Sequence, residues 1–415
     1  MTIDQGRHGS ILNFRIFNLP IFNSSYNPRV IQKLLQGFPE REFESIVETR
    51  RDLHQHPELA FEETRTAGIV ARRLARLGLS PRTGVGKTGV TADSGESGGR
   101  ILLRADMDAL PLTEATGAPY ESRVPGKMHA CGHDGHVAIG LAVADRLSRF
   151  SSAGRFRFLF QPAEEGGGGA EACAADGVLE GVTAAFGLHL WNQMAVGRVG
   201  VNRGALLAAV DEFAIEVEGR GGHGASPHET ADPILAAARI IDALQSVVSR
   251  ETSPLEAVVV TIGSVHGGTA FNIIPSSVRL TGTARSFTEE SSRALPEKVA
   301  RVVRGTAEAA GVKARLDYRR INGATVNDRA MAEMVIETAR ELVGEENVDT
   351  ETRTLGGEDM SVYLGRVPGC FFFVGSAPAG GHRPHHSPEF DFDERALALA
   401  TALFEAVALK AAKRL

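Results

Sequence analysis

The run His129-Ala130-Cys131-Gly132-His133-Asp134-Gly135-His136 offers one thiol and three imidazoles. Further along stand Glu164-Glu165, His189 and the pair His385-His386. Thiolate, imidazole and carboxylate together suit zinc, cobalt, nickel or manganese, whereas calcium and magnesium ask for oxygen alone. One such ion takes about four ligands. Cys131, His133, Glu165, His189 and His386 exceed that before any water is counted. With a thiolate able to bridge, they fit two ions a few ångström apart. Each signal alone is weak, and Cys173 and Cys370 read as small core residues. The weight comes from place: four separate strand-end loops each supply a ligand-type side chain.

Those loops need a scaffold. Helical periodicity covers 42–55 and 62–78, with Gly78 as a stop. The apolar run Arg100–Arg104 suits a buried strand and leads into Ala105-Asp106-Met107-Asp108. A helix over 135–149 follows. The strands Arg155–Gln161 and Ala184–His189 then run to the glutamate pair and to the histidine. Strands alternating with helices predict an α/β unit, a mostly parallel sheet with flanking helices, whose ligands collect beyond the carboxyl ends of the strands.

From residue 209 the style changes. Asp211–Glu218 alternates through Phe213, Ile215 and Val217. A helix over 233–248, strands over 257–264 and 278–286, a helix over 289–310 and a strand over 312–319 come next. The order β-α-β-β-α-β predicts an inserted ferredoxin-like α+β unit. The first style then resumes with a helix over 328–343, a strand over 369–374 and a helix over 394–413. The expected organisation is one unit built from 41–208 and 323–415 around an insert, 209–322, with 1–40 as an N-terminal extension.

Composition removes several classes. The 415 residues carry 45 basic and 51 acidic side chains, net −6, with no basic block to meet nucleic acid or an anionic membrane surface. No stretch reaches the ~20 apolar residues of a membrane span. Three cysteines are too few for a disulfide framework, and the first 40 residues lack the plan of a signal peptide; both point to the cytoplasm. The glycines at 166–169 lack the Lys-Ser/Thr of a phosphate-cradling loop.

Seven segments then carry a resemblance. They are His54-Gln55-His56-Pro57-Glu58-Leu59, Arg104-Ala105-Asp106-Met107-Asp108-Ala109-Leu110-Pro111, His129 to His136, Gln161-Pro162-Ala163-Glu164-Glu165, Gly222-His223, Phe271-Asn272-Ile273-Ile274-Pro275 and Gly357-Glu358-Asp359. In order and spacing the chain resembles the aminoacylase-like metallopeptidase superfamily over about residues 45–410. Within it the match is to the branch of hippurate hydrolase, N-acyl-amino-acid amidohydrolases and indole-acetyl-amino-acid hydrolases. The resemblance implies a dinuclear metallopeptidase-like catalytic unit and an inserted lid that often mediates a homodimer or homotetramer. It implies a small N-acyl amino acid as substrate. The cofactor would be two divalent ions per chain (Zn, Mn, Co or Ni).

Residue by residue, Cys131, His133, Glu165, His189 and His386 match the family's ligands, and Glu164 its general base. The wider superfamily has His-x-Asp at the first metal loop, but this chain has Asp106. That leaves Asp108, with Asp106, as residues behind the ligands, where carboxylates commonly fix an imidazole's tautomer. His136 and His385 stand as supporting residues. His223 resembles the lid histidine that completes the oxyanion site. Asn272 and Arg285 match lid positions that meet the substrate's carboxylate or scissile carbonyl. An unactivated amide needs a strong nucleophile, a stabilised oxyanion and a proton for the leaving amine. Divalent ions supply the first by lowering the pKa of water toward ~7, and a buried glutamate can carry the proton. A dipeptidase or carboxypeptidase of the same superfamily is the alternative, differing in what fills the pocket beside the acyl group.

Overall fold

The computed structural model describes residues 37–95, 99–149, 155–379 and 383–415, with Gln32 and Leu35. Most of the N-terminal extension expected for 1–40 lies outside the described residues.

The chain builds two large sheets. The first has eight strands, in the order β1 (Arg82–Val85), β2 (Gly89–Ser94), β4 (Phe156–Gln161), β3 (Arg100–Asp106), β5 (Val182–Ala195), β16 (Gly369–Ala377), β6 (Val199–Gly200) and β15 (Val348–Asp349). Its centre, β4-β3-β5-β16, is parallel, while β1-β2, β2-β4 and β16-β6 are antiparallel. These central strands are buried almost throughout, which is why they read as continuous apolar runs. Helices α1 (Glu40–His54), α2 (Thr64–Arg76), α3 (His133–Ser148), α7 (Arg329–Val343) and α9 (Arg395–Arg414) pack into its larger core. Two short helices, α4 (Gly169–Ala175) and α8 (Ser361–Leu364), carry side chains of a smaller cluster with Leu102, Leu159 and Phe371.

One strand corrects the sequence reading. β5 does not stop at His189 but continues to Ala195, because β16 stays paired with it as far as Ala377. On its other flank β3 leaves β5 after Gly187. His189 therefore lies within a strand yet just past the end of its neighbour, where the flank opens.

The second sheet holds β10 (Val258–Gly267), β12 (Ser277–Ser286), β8 (Ala209–Glu218) and β13 (Lys313–Asn322) in that order, antiparallel throughout. Counted along the chain this is 2-3-1-4, the ferredoxin-like order. Helices α5 (Pro233–Ser249) and α6 (Glu289–Ala309) cover one face, and their core with Phe213, Ile215 and Val217 is separate from the first. Both helices start where the sequence says they should. Asp232 accepts from the Ile234 and Leu235 amides ahead of Pro233, and Thr288 accepts from the Ser291 amide. A small arm, β9 (Gly222–His223) paired with β11 (Ile273–Ile274), projects from this sheet. No helix of the described residues is long and apolar enough to cross a membrane.

Candidate metal centre

Helix α3 sets the floor of the site. Gly132, at φ 88°, turns the chain into the helix, and His133 is its first residue. A side chain at Gly135 would collide with Leu190 and Phe392, so only glycine lets the helix lie this close to β5. The close approach brings Cys131 and His133 against His189, with Cys131 Sγ 3.4 Å from His189 Nε2.

The structure brings all five predicted ligands together. One candidate atom each of Cys131, His133 and His189 lies within 4.8 Å of the others, and so do those of Cys131, Glu165 and His386. The two triads share the thiol. Glu164 joins His133 and Glu165 in a further group of the same tightness. His386 reaches in from the mouth, half exposed, its Nε2 3.0 Å from Glu165 Oε1. Its φ of 60° is left-handed backbone, which costs a residue with a side chain roughly 1 kcal/mol or more. Its amide donates to the Ala130 carbonyl at 2.8 Å, tying this late loop to the Cys131 loop.

Hydrogen bonds decide which imidazoles are free. His133 Nδ1 faces the Asp108 carbonyl at 2.9 Å and His189 Nδ1 the Leu190 carbonyl at 2.7 Å. A carbonyl only accepts, so each Nδ1 carries a hydrogen and each Nε2 is left to face the centre. His133 Nε2 has no hydrogen-bond partner in the fold. His136 differs. Its Nε2 accepts the Leu190 amide and its Nδ1 donates to Asp106 at 2.6 Å, so both nitrogens are spent and it supports rather than ligates.

Charge tells the same story. Burial, with His136 and His385 beside it, holds His189 far below the usual imidazole range, in the neutral form a metal needs. Burial opposes a charge on His133, yet Asp106 and Asp108 outweigh it and push the ring up to about 10. The pocket thus asks for positive charge at Nε2, from a proton or a cation. Burial and then Glu165 and Glu164 drive the Cys131 thiol upward, the bias that a bound cation reverses. The donor set, the orphaned nitrogen and the surplus of carboxylates fit a metal centre.

The carboxylates behind the ligands divide their work. Asp106 is buried, yet His133, Arg104 and His136 hold it far below the usual carboxylate range. Asp108 spends both oxygens on successive amides, those of Glu164 and Glu165, at 3.0 Å each. Glu164 is buried beside Glu358 and Glu165, and these three causes raise its carboxyl well above the ordinary range.

The contacts of several neighbours escape a reading of motifs alone. Arg104, fully buried, ties Asp106 (2.6 Å), Glu358 (3.0 Å), Asp359 (2.7 Å) and Gln161 (3.0 Å) into one network. That network already satisfies Glu358 and Asp359, which argues against a further ion beside Glu164. On the other side Arg50 and His54 both donate to Asp134 at 2.8 Å, anchoring the first turn of α3 next to His133. The pairing Arg50–Asp134 spans 84 residues, and no local pattern announces it.

A pocket of about 560 Å³ opens over the centre. Cys131, Glu164, Glu165, His189 and His386 line one side, and Trp191, Leu207, Val210, Ile321 and Leu355 give it apolar walls. Arg285 lines it from β12, half-buried, and its guanidinium makes no hydrogen bond or ion pair among the described residues. His223 and Asn272 are not brought here. They sit exposed on the β9-β11 arm, where His223 Nδ1 accepts the Ala225 amide and the Asn272 carbonyl accepts the Gly224 amide.

Known proteins give this geometry its context. The model of Peptidase family M20/M25/M40 matches residues 102–410. An N-acetyl-L-cysteine deacetylase of Bacillus subtilis is 41% identical over 86% of this chain and 85% of its own. An IAA-amino acid hydrolase, ILR1-like 4 of Arabidopsis thaliana, is 39% identical over 89% and 86%. Among solved structures, the YXEP protein of Bacillus subtilis, described as a dinuclear metal binding peptidase, superposes with a TM-score of 0.80 at 35% identity, covering 91% of this chain and 100% of that one. Similarity of this extent, running through every loop that carries a ligand-type residue, means that the chain belongs to peptidase family M20/M25/M40.

Proposed function

We propose that the protein is a two-metal amidohydrolase that cleaves the amide of N-acyl amino acids. The observation that carries this is the pair of ligand triads meeting at Cys131 Sγ with a buried carboxylate, Glu164, beside them. Two divalent ions held by Cys131, His133, Glu165, His189 and His386 would supply an activated water and polarise the amide carbonyl. Glu164 takes the proton from that water and hands it to the leaving amine. Arg285 meets the amino acid's carboxylate, for which its forked guanidinium is suited. The apolar walls at Trp191, Leu207 and Leu355 receive the acyl group.

Chelated protein, reloaded with each of zinc, manganese, cobalt and nickel, should hydrolyse some of a panel of N-acetyl-, N-benzoyl- and indole-acetyl-amino acids. Turnover confined to peptides with a free amino terminus would instead favour the dipeptidase alternative. Three free, buried cysteines support a reducing compartment, and with it a place in the cytoplasm.

In this reading 209–322 works as a lid. His223 then has to travel to the centre by closure of its own lid, or arrive from a second copy. The exposed Phe271 and Ile273 on its arm, and Val265 on the edge strand β10, favour pairing of two chains there. His223→Ala should lower kcat about a hundredfold, the scale of one lost oxyanion donor, with metal content unchanged. Phe271→Asp should shift the sedimentation of a dimer toward monomer. A kcat within a few-fold of wild type would remove His223 from the mechanism.

A further inference from the structure

Ala163, directly before the glutamate pair, has φ 52°, a backbone that a residue with a side chain adopts only when its surroundings impose it. Three consecutive amides here each donate to a buried carboxylate oxygen. Those of Glu164 and Glu165 go to Asp108. The amide of Ala163 donates to Glu63 Oε1 at 2.9 Å, across 100 residues of sequence.

Glu63 is placed for this in an unusual way. It stands at the N-cap of α2, where a side chain ordinarily turns back to the first free amides of its own helix. Glu63 makes no such bond. Glu58 caps the helix instead, accepting from the Arg65 and Thr66 amides at 2.8 Å each. Glu63 is thereby released to point away from α2, fully buried, with Oε2 accepting the Thr88 hydroxyl. Residues beside Glu63 and Thr88 in the sequence share the strain of Ala163. Phe61 and Lys87, at φ 63° and 83°, are also left-handed, and Lys87 Nζ sits 3.8 Å over the Phe61 ring. Three of the four non-glycine residues with positive φ among the described residues are thus Ala163, the residue two before Glu63 and the residue just before Thr88. Burying a carboxylate is costly. Here that cost fixes the peptide that sets the direction of the Glu164 side chain.

We propose that Glu63 is a positioning residue for catalysis: it locks Ala163 in its left-handed turn and so aims Glu164 at the water and Glu165 at the metal. The inference rests on the assignment of Glu164 as the base. Misplacement of a reacting group by about 1 Å can cost a hundredfold in rate. Glu63→Ala, assayed well below its melting temperature with saturating metal, should lose at least tenfold in kcat with KM within threefold. Glu63→Gln keeps an acceptor oxygen for the Ala163 amide and should recover to within threefold of wild type.

A double-mutant cycle separates aim from general stability. In a Glu164→Gln background, Glu63→Ala should cost less than threefold further, because there is no base left to aim. An equal loss in both backgrounds, or a Glu63→Ala enzyme within twofold of wild type, would overturn the proposal. If Glu164→Gln itself retains full kcat, the assignment of the base fails instead. Should Glu63→Ala not fold, Thr88→Val frees Oε2 and takes its place in the cycle. Its loss should be smaller, about threefold, and absent when Glu164 is already Gln; a loss that persists there counts against the proposal.

Discussion

Glu164→Gln should keep its metal and lose kcat by ~10²–10⁴, the usual worth of general acid–base catalysis. The substitution preserves shape and removes only the ability to take a proton. The carboxyl is buried between Glu358 and Glu165, whose charges raise its proton affinity, the condition a group needs if it is to accept a proton and later return it. The neighbouring Glu165→Gln should behave in the opposite way. Glu165 belongs to the triad with Cys131 and His386, so its loss should weaken metal binding, and added metal should restore part of the rate. Metal analysis with turnover assays on both variants decides between the roles. Loss of metal from Glu164→Gln but not from Glu165→Gln would mean that they are reversed.

Cys131→Ala should have the largest effect on metal content. Its sulfur is common to both triads, so one substitution takes a ligand from each. Wild-type protein should carry close to two transition-metal equivalents, and chelation should abolish hydrolysis reversibly. Cys131→Ala should lose metal and rate together, while Cys173→Ala and Cys370→Ala, whose thiols lie in the cores, should keep both. Full activity in metal-free protein would sink the two-ion reading. The sign of the pH dependence follows from the groups displaced. At pH 7 the metal-free pocket holds a proton on the Cys131 thiol, raised by burial and Glu165, and one on His133, pushed up to about 10 by Asp106 and Asp108 against the effect of burial. A cation must expel both, so loading should release about two protons and affinity should rise with pH. Calorimetric titration in buffers of different ionisation enthalpy measures that number.

Much of this centre is legible in the sequence. The five ligand-type residues fall at or near the element ends that periodicity locates, and the apolar runs at 100–104 and 369–374 announce buried strands by composition alone. The alternation through Phe213, Ile215 and Val217 announces a half-buried one. What stayed hidden depends on partners distant in sequence. His136 looks like a ligand, and only the Leu190 amide on its Nε2 rules it out. The Arg104 network joins residues 255 positions apart. The hairpin of β1 and β2 is hidden because four- and six-residue strands around a Gly-Lys-Thr turn leave too short a pattern. His189 looks like a strand end because apolar character fades after Trp191, although pairing with β16 carries the strand on.

The threading of the first sheet fixes an order of assembly. β16 lies between β5 and β6, and α9 packs against α3, so the central layer stays open until β16 and α9 have left the ribosome. The strands and helices of the second sheet are contiguous in sequence, and local topologies close fastest. That layer can therefore fold during translation while the outer one still waits. His386 follows β16, so a nascent chain lacks the full set of candidate ligands until the loop after β16 has been made. Topology therefore makes metal capture wait for the pairing of β16 with β5.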